Sequence, residues 1–397
     1  MAAADPLALP AVPPPAPATH PRRDAVLAIT FFLALALSGL GALRAPTQGT
    51  LALENRVLAP WPAPALTRQF ASDFERAFAD RFGARAALLR LHHLALIDAF
   101  HVSPAPNVLL GTEDWLYFLG EDGKSLDRHY RGTASVTDAE IAAVVAELSR
   151  RQRFLAGLGI PYVVMVVPEK STIYPEHLPA WVSKSPAPSP FDRLVEAIRA
   201  NGTVPFVDLR APLRAAKSRG QVYYAGDSHW NLQGAAVGYD ALMHEIQHAL
   251  PPGRVQEIAP AAMPPYVAGT DFYWGDLARQ IGLPTHFREP DYAPFAKVMA
   301  DTTSRCARRI APGAADEGFE FYACDKPGLP RAVMYRDSMA IPLIPLLSEN
   351  FSRVVYVGSR RLDPALILRE KPDIVIEEMV ERSLLAPAAL PMPEPAR

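Results

Sequence analysis

The sequence predicts an α/β protein in which a parallel β-sheet is covered by helices on both faces. Short uninterrupted apolar runs, typical of strands buried in a parallel sheet, alternate along the chain with longer segments of helical periodicity. Polar residues of catalytic type directly follow several of these runs, and ligand sites in such sheets lie at the carboxyl ends of the strands. The order of elements therefore predicts the fold class and also the edge of the sheet where a site forms.

The composition indicates a folded chain and argues against a nucleic-acid partner. The chain has 397 residues, and 49% of them are hydrophobic, which is enough for a sizeable core. The net charge of -2 provides no basic field, and the Lys and Arg residues are scattered along the sequence. We therefore expect no nucleic acid among the partners.

The N-terminal part has the composition of a tail followed by a membrane anchor. Residues 1–24 are rich in Pro and Ala, which predicts a disordered cytoplasmic tail. The uncharged run from Ala25 to Leu43 would span about 28 Å as a helix, close to the thickness of a bilayer core. Arg22 and Arg23 precede this run and favour a cytoplasmic N-terminus. We predict a transmembrane signal-anchor; the alternative is a secretory signal cleaved near the small residues 38–42.

A helical lead-in and one large α/β domain are predicted beyond the anchor. Residues 44–101 form the lead-in, because Phe70, Phe74 and Phe78 recur at helical spacing. Residues 102–385 form the domain, interrupted at about 251–330 by a Pro-rich insertion in which periodicity is lost. Residues 386–397 are rich in Ala and Pro, which predicts a second disordered tail.

The elements of the domain follow from period and from start and stop signals. A β-hairpin comes first, because two short apolar runs flank the turn residues Thr112 to Asp114. The predicted helices are 137–158, opened by Thr137, then 190–201 and Leu232 to Leu250. The predicted strands are Tyr162 to Val167, Pro205 to Asp208, Ala332 to Tyr335, Val354 to Val357 and Ile374 to Glu377.

Two polar stretches together supply a nucleophile, a base and an orienting carboxylate. The first contains Asp227 and His229 at the start of a helix, and the second places Ser338 at a strand-to-helix turn. Transfer or hydrolysis of an acyl group needs a hydroxyl activated by an imidazole that a carboxylate holds in the productive tautomer. The alternative is structural: Asp227 caps the helix that starts near Asn231, and His229 is a surface residue.

A second pattern, His244-Glu245-Ile246-Gln247-His248, matches the His-Glu-x-x-His motif of zinc proteases. On a helix the two histidines share a face, but Pro251 follows almost at once and no third ligand is evident in the sequence. The apolar positions of the same helix are typical of an element that covers a sheet. A zinc protease using His244, Glu245 and His248 is therefore kept only as a remote alternative, and we predict no metal and no cofactor.

Cys306 and Cys324 are the only two cysteines, and both lie in the insertion. Export would bring them into an oxidising compartment, where such a pair forms a disulfide. We predict a Cys306–Cys324 disulfide that closes a loop within the insertion. The alternative is a pair of buried free thiols.

At these points the chain resembles the alginate O-acetyltransferases of the AlgJ/AlgX type, whose catalytic domain is similar to SGNH hydrolases. In that family an Asp-x-His-Trp segment also precedes the Asp-Ser turn, and Gly usually stands where this chain has Arg336. The resemblance spans roughly Glu54 to Arg382. Besides the two polar stretches it is carried by Glu54-Asn55-Arg56, Asp80 to Arg85, Gly111 to Phe118, Val167 to Lys170, and Tyr174-Pro175.

The resemblance implies an SGNH hydrolase-like O-acetyltransferase that moves acetyl groups to hydroxyls of an exported, alginate-like polysaccharide through an acetyl-serine intermediate. In this scheme Ser338 attacks, His229 carries the proton and Asp227 orients His229. The backbone N–H groups of Ser338 and its neighbour would bind the oxyanion. Lys170 and Tyr174, which follow a predicted strand, are predicted to line the cleft or bind substrate, with a solvated loop as the alternative. Trp230 and Arg336 are also assigned to substrate binding.

The resemblance also implies two partners and a location. The acceptor is the polysaccharide, and a multispan membrane O-acyltransferase supplies the acetyl groups across the membrane. The catalytic domain would be periplasmic, attached to the bacterial inner membrane through Ala25 to Leu43. The alternative activity is a carbohydrate acetyl esterase with the same triad, because nothing in the sequence separates transfer from hydrolysis.

Overall fold

The computed structural model describes residues 21–44, 50–51, 56–64, 67–82, 85–131, 136–255, 268–292, 306–311 and 318–384. Most of the predicted N-terminal tail, residues 1–20, and the predicted C-terminal tail lie outside these residues. The chain divides into two compact units, Met1–Leu91 and His92–Arg397.

The N-terminal unit is mainly helical, as the periodicity of its apolar residues predicts. Its helices are Pro21–Arg44, Arg68–Arg81 and the first part of Arg85–Leu94. The first begins at Pro21, four residues before the predicted anchor and inside the predicted tail; proline is favoured in the first turn of a helix. Among the residues whose side chains the structure describes, no helix combines the length and the apolar character that crossing a membrane requires.

The strands of the whole chain are numbered here in sequence order. Two short strands in the N-terminal unit pair with each other, and two more form the predicted hairpin before the main sheet begins. The strands are β1 Thr50–Leu51, β2 Arg56–Val57, β3 Val108–Leu110, β4 Leu116–Phe118, β5 Tyr162–Val167, β6 Phe206–Asp208, β7 Ala268–Tyr273, β8 Glu289–Tyr292, β9 Arg308–Ile310, β10 Phe319–Ala323, β11 Arg331–Tyr335, β12 Arg353–Val357 and β13 Ile374–Val380.

The helices of the second unit lie between these strands, in the alternation that the sequence predicts. A π-helical turn, Ala95–Ala99, continues the helix that ends at Leu94. The α-helices that follow are Asp138–Gly157, Lys170–Ile173, Pro190–Asn201, Arg210–Ala216, Leu232–Ala249, Asp276–Gln280, Ile344–Leu347, Pro364–Glu370 and Glu381–Leu384. A 3-10 helix, Ser338–Leu343, directly follows β11.

The main sheet has the order β6-β5-β13-β11-β12-β10-β9 within the described residues. The first five strands are mutually parallel, whereas β10 pairs antiparallel with β12 and β9 pairs antiparallel with β10. The sheet is therefore mixed, which corrects the prediction of a parallel sheet. The two antiparallel strands come from the insertion, whose weak periodicity concealed them; they form one edge of the sheet.

Helices cover both faces of the sheet, as predicted. Because successive side chains of a strand point to opposite faces, Val163 and Met165 of β5 belong to one core while Tyr162 and Val164 belong to the other. The helix Leu232–Ala249 packs on the first face, and the helices Asp138–Gly157 and Pro190–Asn201 pack on the second. The α/β fold class is thus confirmed.

The predicted disulfide between Cys306 and Cys324 is present, with 4.8 Å between the two Cα atoms. Cys306 stands just before β9 and Cys324 just after β10, so the bond closes the two-stranded edge of the sheet. The carboxylate of Glu349 accepts hydrogen bonds from the backbone N–H groups of Cys306 and Ala307, at 2.9 and 3.0 Å. The insertion is therefore tied to the body of the domain at this end.

Candidate active site

Ser338 lies at the carboxyl end of β11, near the middle of the sheet, where the sequence predicts it. Its side chain is exposed, and it opens the 3-10 helix Ser338–Leu343. Asp337 caps that helix, because its Oδ1 accepts a 2.8 Å hydrogen bond from the N–H of Met339. Its Oδ2 accepts a 2.7 Å bond from the N–H of Val380, which ties the turn to the end of β13. The serine is thus displayed on a turn that two strands hold.

Asp227, His229 and Ser338 form one hydrogen-bonded chain. Nδ1 of His229 lies 2.7 Å from Oδ1 of Asp227, and Nε2 of His229 lies 2.8 Å from Oγ of Ser338. Because a carboxylate only accepts hydrogen bonds, Nδ1 carries the proton and Nε2 is left to accept the proton of the hydroxyl. The structure therefore brings the three predicted catalytic residues together in the tautomer that a base needs.

Asp227 and His229 each stabilise the charged form of the other. Burial raises the pKa of Asp227, whose side chain is 2% exposed, but the hydrogen bonds and the charge of His229 outweigh burial and hold this pKa well below the ordinary value. Burial lowers the pKa of His229, whereas the hydrogen bond and the charge of Asp227 raise it, with a net rise. Asp227 is therefore a carboxylate over the whole range in which His229 titrates.

A segment that the sequence did not assign to chemistry completes the surroundings of Asp227. The hydroxyl of Tyr273 donates a 2.8 Å hydrogen bond to Oδ2 of Asp227, and the N–H of Asp276 donates another at 2.7 Å. Both residues lie in the insertion, at the end of β7 and the start of the helix Asp276–Gln280. The available signal in the sequence is Gly275-Asp276-Leu277, a short stretch of the insertion that resembles a segment of the alginate O-acetyltransferase family. The insertion therefore contributes to the site as well as to the sheet edge.

The carboxylate of Asp276 binds Ser228, the residue between the two predicted catalytic ones. Its Oδ1 accepts a 2.7 Å hydrogen bond from the N–H of Ser228, and its Oδ2 accepts one of 2.5 Å from the hydroxyl. Its Oδ2 also lies 3.5 Å from Nδ1 of His229. A second carboxylate thus stands beside the imidazole.

Glu289 holds the residues that precede Asp227. Its two oxygens accept hydrogen bonds from the N–H groups of Ala225 at 3.0 Å and Gly226 at 2.9 Å. The backbone of Gly275 lies against that of Gly226: a Cβ added at Gly275 would stand 1.9 Å from the carbonyl oxygen of Gly226. Only glycine fits at this close approach. The segment 273–289 therefore clamps the turn that carries Asp227 and His229.

Lys170, which was predicted to bind substrate, supports this turn from inside the protein. Its side chain is buried, and Nζ donates to the carbonyl oxygens of Tyr224, Ala225 and Asp227 at 3.0, 2.8 and 2.6 Å. An ammonium has three N–H donors, so none is left for a ligand. Burial lowers the pKa of Lys170 to about 8, although Asp227 and Glu289 oppose the effect.

Tyr174, Trp230 and Arg336, which were also predicted to bind substrate, contact protein groups in this structure. The buried hydroxyl of Tyr174 accepts a 2.9 Å hydrogen bond from the N–H of Val222. The indole of Trp230 is 2% exposed and donates a 2.9 Å bond to the carbonyl of Met339. Arg336 forms an ion pair with Glu320 of β10 and donates a 3.2 Å bond to the carbonyl of Asp337. These contacts position the two catalytic turns.

The oxyanion hole that the sequence predicts is corrected in one of its two donors. The N–H of Met339, the neighbour of Ser338, already donates to Oδ1 of Asp337 at 2.8 Å. An N–H that is engaged in this way does not point at a developing oxyanion. The N–H of Met339, which was predicted to bind the oxyanion, thus belongs to the hydrogen bond by which Asp337 caps the serine turn.

The His244 and His248 pair lies on the solvent side of the helix Leu232–Ala249, and its two Nε2 atoms are 3.2 Å apart. In the part of the chain that the structure describes, no further His, Cys, Asp or Glu completes a group of three ligands with this pair. A protease zinc site needs such a third protein ligand. The geometry therefore gives the zinc alternative no support.

The fold and the site together define a class: an α/β protein with a serine, histidine and aspartate triad at the carboxyl edge of its sheet. The chain belongs to the family described as SGNH hydrolase-like domain, acetyltransferase AlgX, whose model matches residues 108–316. The matched range contains Asp227 and His229 but ends before Ser338. The family that the sequence motifs predict is thereby confirmed.

Similar proteins carry names of the same kind. The chain is 32% identical over 148 residues to the probable alginate O-acetylase AlgJ of Pseudomonas syringae pv. tomato, covering 37% of this chain and 35% of that protein. It is 26% identical over 256 residues to the probable alginate O-acetylase AlgJ of Azotobacter vinelandii, covering 64% of this chain and 61% of that protein. The chain thus spans between about one third and three fifths of these relatives.

Among solved structures, Bacillus cereus PatB1 resembles this chain with a TM-score of 0.50 and 16% sequence identity. The likeness covers 70% of this chain and 96% of that one. At this identity the comparison shows the fold alone, and it agrees with the SGNH hydrolase-like α/β architecture described above.

Proposed function

We propose that the protein is an O-acetyltransferase that moves acetyl groups to hydroxyls of a polysaccharide through an acetyl-serine intermediate. The observation that carries the proposal is the hydrogen-bonded chain from Asp227 through His229 to the exposed hydroxyl of Ser338. The AlgX family membership and the alginate O-acetylase names of the relatives support acetyl as the group and a polysaccharide as the acceptor.

The first half-reaction loads the serine. Oγ of Ser338 attacks the carbonyl carbon of an acetyl donor, and Nε2 of His229 accepts the hydroxyl proton. The new C–O bond forms as the carbonyl oxygen becomes an oxyanion. When the tetrahedral intermediate collapses, the bond to the leaving group breaks, and His229 returns the proton to that group. The acetyl group then remains on Ser338 as an ester.

The second half-reaction discharges the serine onto the acceptor. A sugar hydroxyl attacks the ester carbonyl, and Nε2 of His229 accepts its proton. Collapse breaks the bond to Oγ of Ser338, which regains the proton from His229. Asp227 stays ionised throughout and stabilises the imidazolium that forms in each half-reaction. The free enzyme is restored, and one acetyl ester has replaced another.

The same triad would hydrolyse the acetyl ester if water reached it first, so a carbohydrate acetyl esterase is the second candidate. The exposed side chain of Ser338 is the observation that favours it, because the hydroxyl is open to solvent in the chain without substrate. Transfer requires the bound acceptor to exclude water from the acetyl-serine. We propose that the acceptor itself does so.

The proposal includes a location and an acetyl source. The uncharged run from Ala25 to Leu43 after Arg22 and Arg23 supports an anchor in the inner membrane with the catalytic part in the periplasm. Activated acetyl groups would then have to be supplied across the membrane. A multispan membrane O-acyltransferase is the class of partner that delivers them.

The test is acetyl release from a generic acetyl ester by the purified chain, with and without an added oligosaccharide acceptor. A transferase forms acetylated oligosaccharide and turns over faster when the acceptor is present. An esterase releases acetate at the same rate in both conditions. The same assay is run with an acetylated polysaccharide in place of the generic ester. A chain that releases no acetyl group from either compound, with or without the acceptor, would contradict both candidates.

A further inference from the structure

Asp276 contacts two residues beside the catalytic base His229: Asp227, which orients the imidazole, and Ser228, which precedes His229 in the chain. Its backbone N–H donates the 2.7 Å hydrogen bond to Oδ2 of Asp227, and its carboxylate binds the N–H and hydroxyl of Ser228. The hydroxyl of Ser228 lies 3.3 Å from Nδ1 of His229, and Oδ2 of Asp276 lies 3.5 Å from the same nitrogen. The side of the imidazole that faces away from Ser338 is thus surrounded by two carboxylates and one hydroxyl.

The charges that act on His229 come from several elements. Burial lowers the pKa of His229; Asp227 and then Asp276 raise it, and Arg382, which follows β13, opposes them. The guanidinium of Arg382 is itself held by a 2.7 Å hydrogen bond to Glu169. Asp276 carries the second negative charge in this set.

The surroundings of Asp276 raise the pKa of its carboxyl overall. Burial and the charge of Asp227 raise the pKa of the Asp276 carboxyl, whereas the hydrogen bonds of Ser228 and the charge of His229 lower it. The positive charges of Lys170 and Arg382 and the hydroxyl of Tyr273 interact electrostatically with the Asp276 carboxyl. A positive charge that forms on His229 is thus stabilised by two carboxylates, Asp227 and Asp276.

We propose that Asp276 is a second positioning carboxylate of the catalytic base, which fixes Asp227 and Ser228 and stabilises the protonated imidazole during acetyl transfer. The inference rests on the proposed function, because it concerns the base of that reaction. Asp276 acts through His229 and is therefore a positioning residue. Its two contributions are separable: the backbone N–H and the contacts to Ser228 are geometric, whereas the charge acts on His229 through space.

The variant Asp276→Asn separates charge from geometry. The amide oxygen still accepts from the N–H of Ser228, and the backbone N–H to Asp227 is retained. The amide nitrogen donates to the Ser228 hydroxyl, which previously donated to Oδ2, and the negative charge is gone. Loss of a nearby negative charge lowers the pKa of His229 by about one unit. The base is then neutral at lower pH, so the acid limb of kcat/KM moves down by about one pH unit. A residue with a purely structural role would leave that limb in place.

Glu289→Gln is the matched control. Glu289 is also a carboxylate of the insertion that binds the catalytic turn, but its oxygens contact the N–H groups of Ala225 and Gly226 rather than the residue next to the imidazole. We expect the acid limb of this variant within about 0.3 unit of the wild type, whatever happens to the plateau rate.

The experiment measures the pH dependence of acetyl-ester turnover by the full chain and, independently of activity, the titration of the His229 imidazole by NMR. A shift of both midpoints in Asp276→Asn but not in Glu289→Gln supports the inference. Unmoved midpoints in Asp276→Asn overturn it, even if the plateau rate falls. Because the NMR titration needs no turnover, failure of this inference is distinguishable from failure of the proposed function, for which Ser338→Ala is the test.

Discussion

Oγ of Ser338 lies 2.8 Å from Nε2 of His229, although 109 residues of chain separate the two. The contact depends on two turns, each held by its own contacts and joined by the hydrogen bond from the indole of Trp230 to the carbonyl of Met339. Asp337 ties the serine turn to the end of β13, while Lys170 and the segment 273–289 hold the histidine turn. Neither turn relies on the contact between the two side chains. The predictions below test the supports of these turns.

The lowered pKa of Lys170, about 8, predicts that activity falls as the pH rises above this value. Above its pKa of about 8 the ammonium becomes a neutral amine with two N–H donors for three carbonyl oxygens, so the turn that carries Asp227 and His229 loosens. The measurement is the pH dependence of acetyl-ester turnover between pH 6 and 10. A flat rate across that range would contradict this role of Lys170.

The same shift predicts that stability and activity separate in this range. Because the pKa of Lys170 is lowered from 10.5 to about 8, the unfolded chain binds more protons between these two values. The contribution of Lys170 to the free energy of unfolding therefore rises with pH in this window. Above pH 8 turnover should therefore fall, while the deprotonation of Lys170 should not lower the stability of the fold. Thermal melts at each pH check this.

Gly275→Ala should displace the clamp over the histidine turn. The added Cβ would stand 1.9 Å from the carbonyl oxygen of Gly226, so one backbone has to move. We expect a cost of about 1–3 kcal/mol in the free energy of unfolding and a loss of activity of about 100-fold, since small misplacements of catalytic groups have effects of this size. Denaturant unfolding and turnover measure the two effects.

Gly157→Ala is the control for this substitution. An added Cβ at Gly157 meets no atom within 4 Å, and the residue ends the helix Asp138–Gly157. Activity should be unchanged and stability equal or slightly higher. Equal behaviour of the two alanine variants would show that the close approach of Gly275 to Gly226 is not what holds the site.

The Cys306–Cys324 bond should stabilise the sheet edge without serving the chemistry. It closes a loop with a sequence separation of 18 residues, for which the chain-entropy account gives about 3 kcal/mol. The double variant Cys306→Ser, Cys324→Ser should melt at a lower temperature and keep its kcat below the melting transition. Peptide mapping under non-reducing conditions checks the pairing; free thiols at both positions would contradict it.

Membrane attachment is predicted through the N-terminal helix. The segment Ala25 to Leu43 should keep the chain in the membrane fraction, with the N-terminal sequence intact. Removal of residues 1–44 should release an active chain into the soluble fraction. A mature, soluble chain that begins near residue 43 would contradict the anchor and favour a cleaved signal.

The five parallel strands, the longer helices of the domain and the triad could be predicted because each has a local signature. The apolar run of β5, the capping residue Thr137 and the polar turns around His229 and Ser338 are all readable in short windows of sequence. The spacing of catalytic residue types was sufficient, since the carboxyl edge of a sheet brings its turns together.

The parts that could not be predicted depend on tertiary contacts. Lys170 and Tyr174 follow a strand, as substrate-binding residues do, yet their polar groups bind backbone atoms of the histidine turn and of Val222. Asp276 lies in a helix of five residues within a segment that has no clear period, so nothing local reveals its contact with Asp227. The polarity of a residue does not tell whether its partner is a ligand or a carbonyl group.

The central claim is that Ser338 carries the acetyl group. The most direct measurement is mass mapping of the chain after rapid quenching with an acetyl ester, for the wild type and for Ser338→Ala beside its melting curve. We expect an acetylated peptide that contains Ser338 in the wild type and its absence in the variant. The variant should keep its melting temperature and lose turnover by at least about 1,000-fold. Near-normal turnover by a folded Ser338→Ala chain would contradict the serine mechanism.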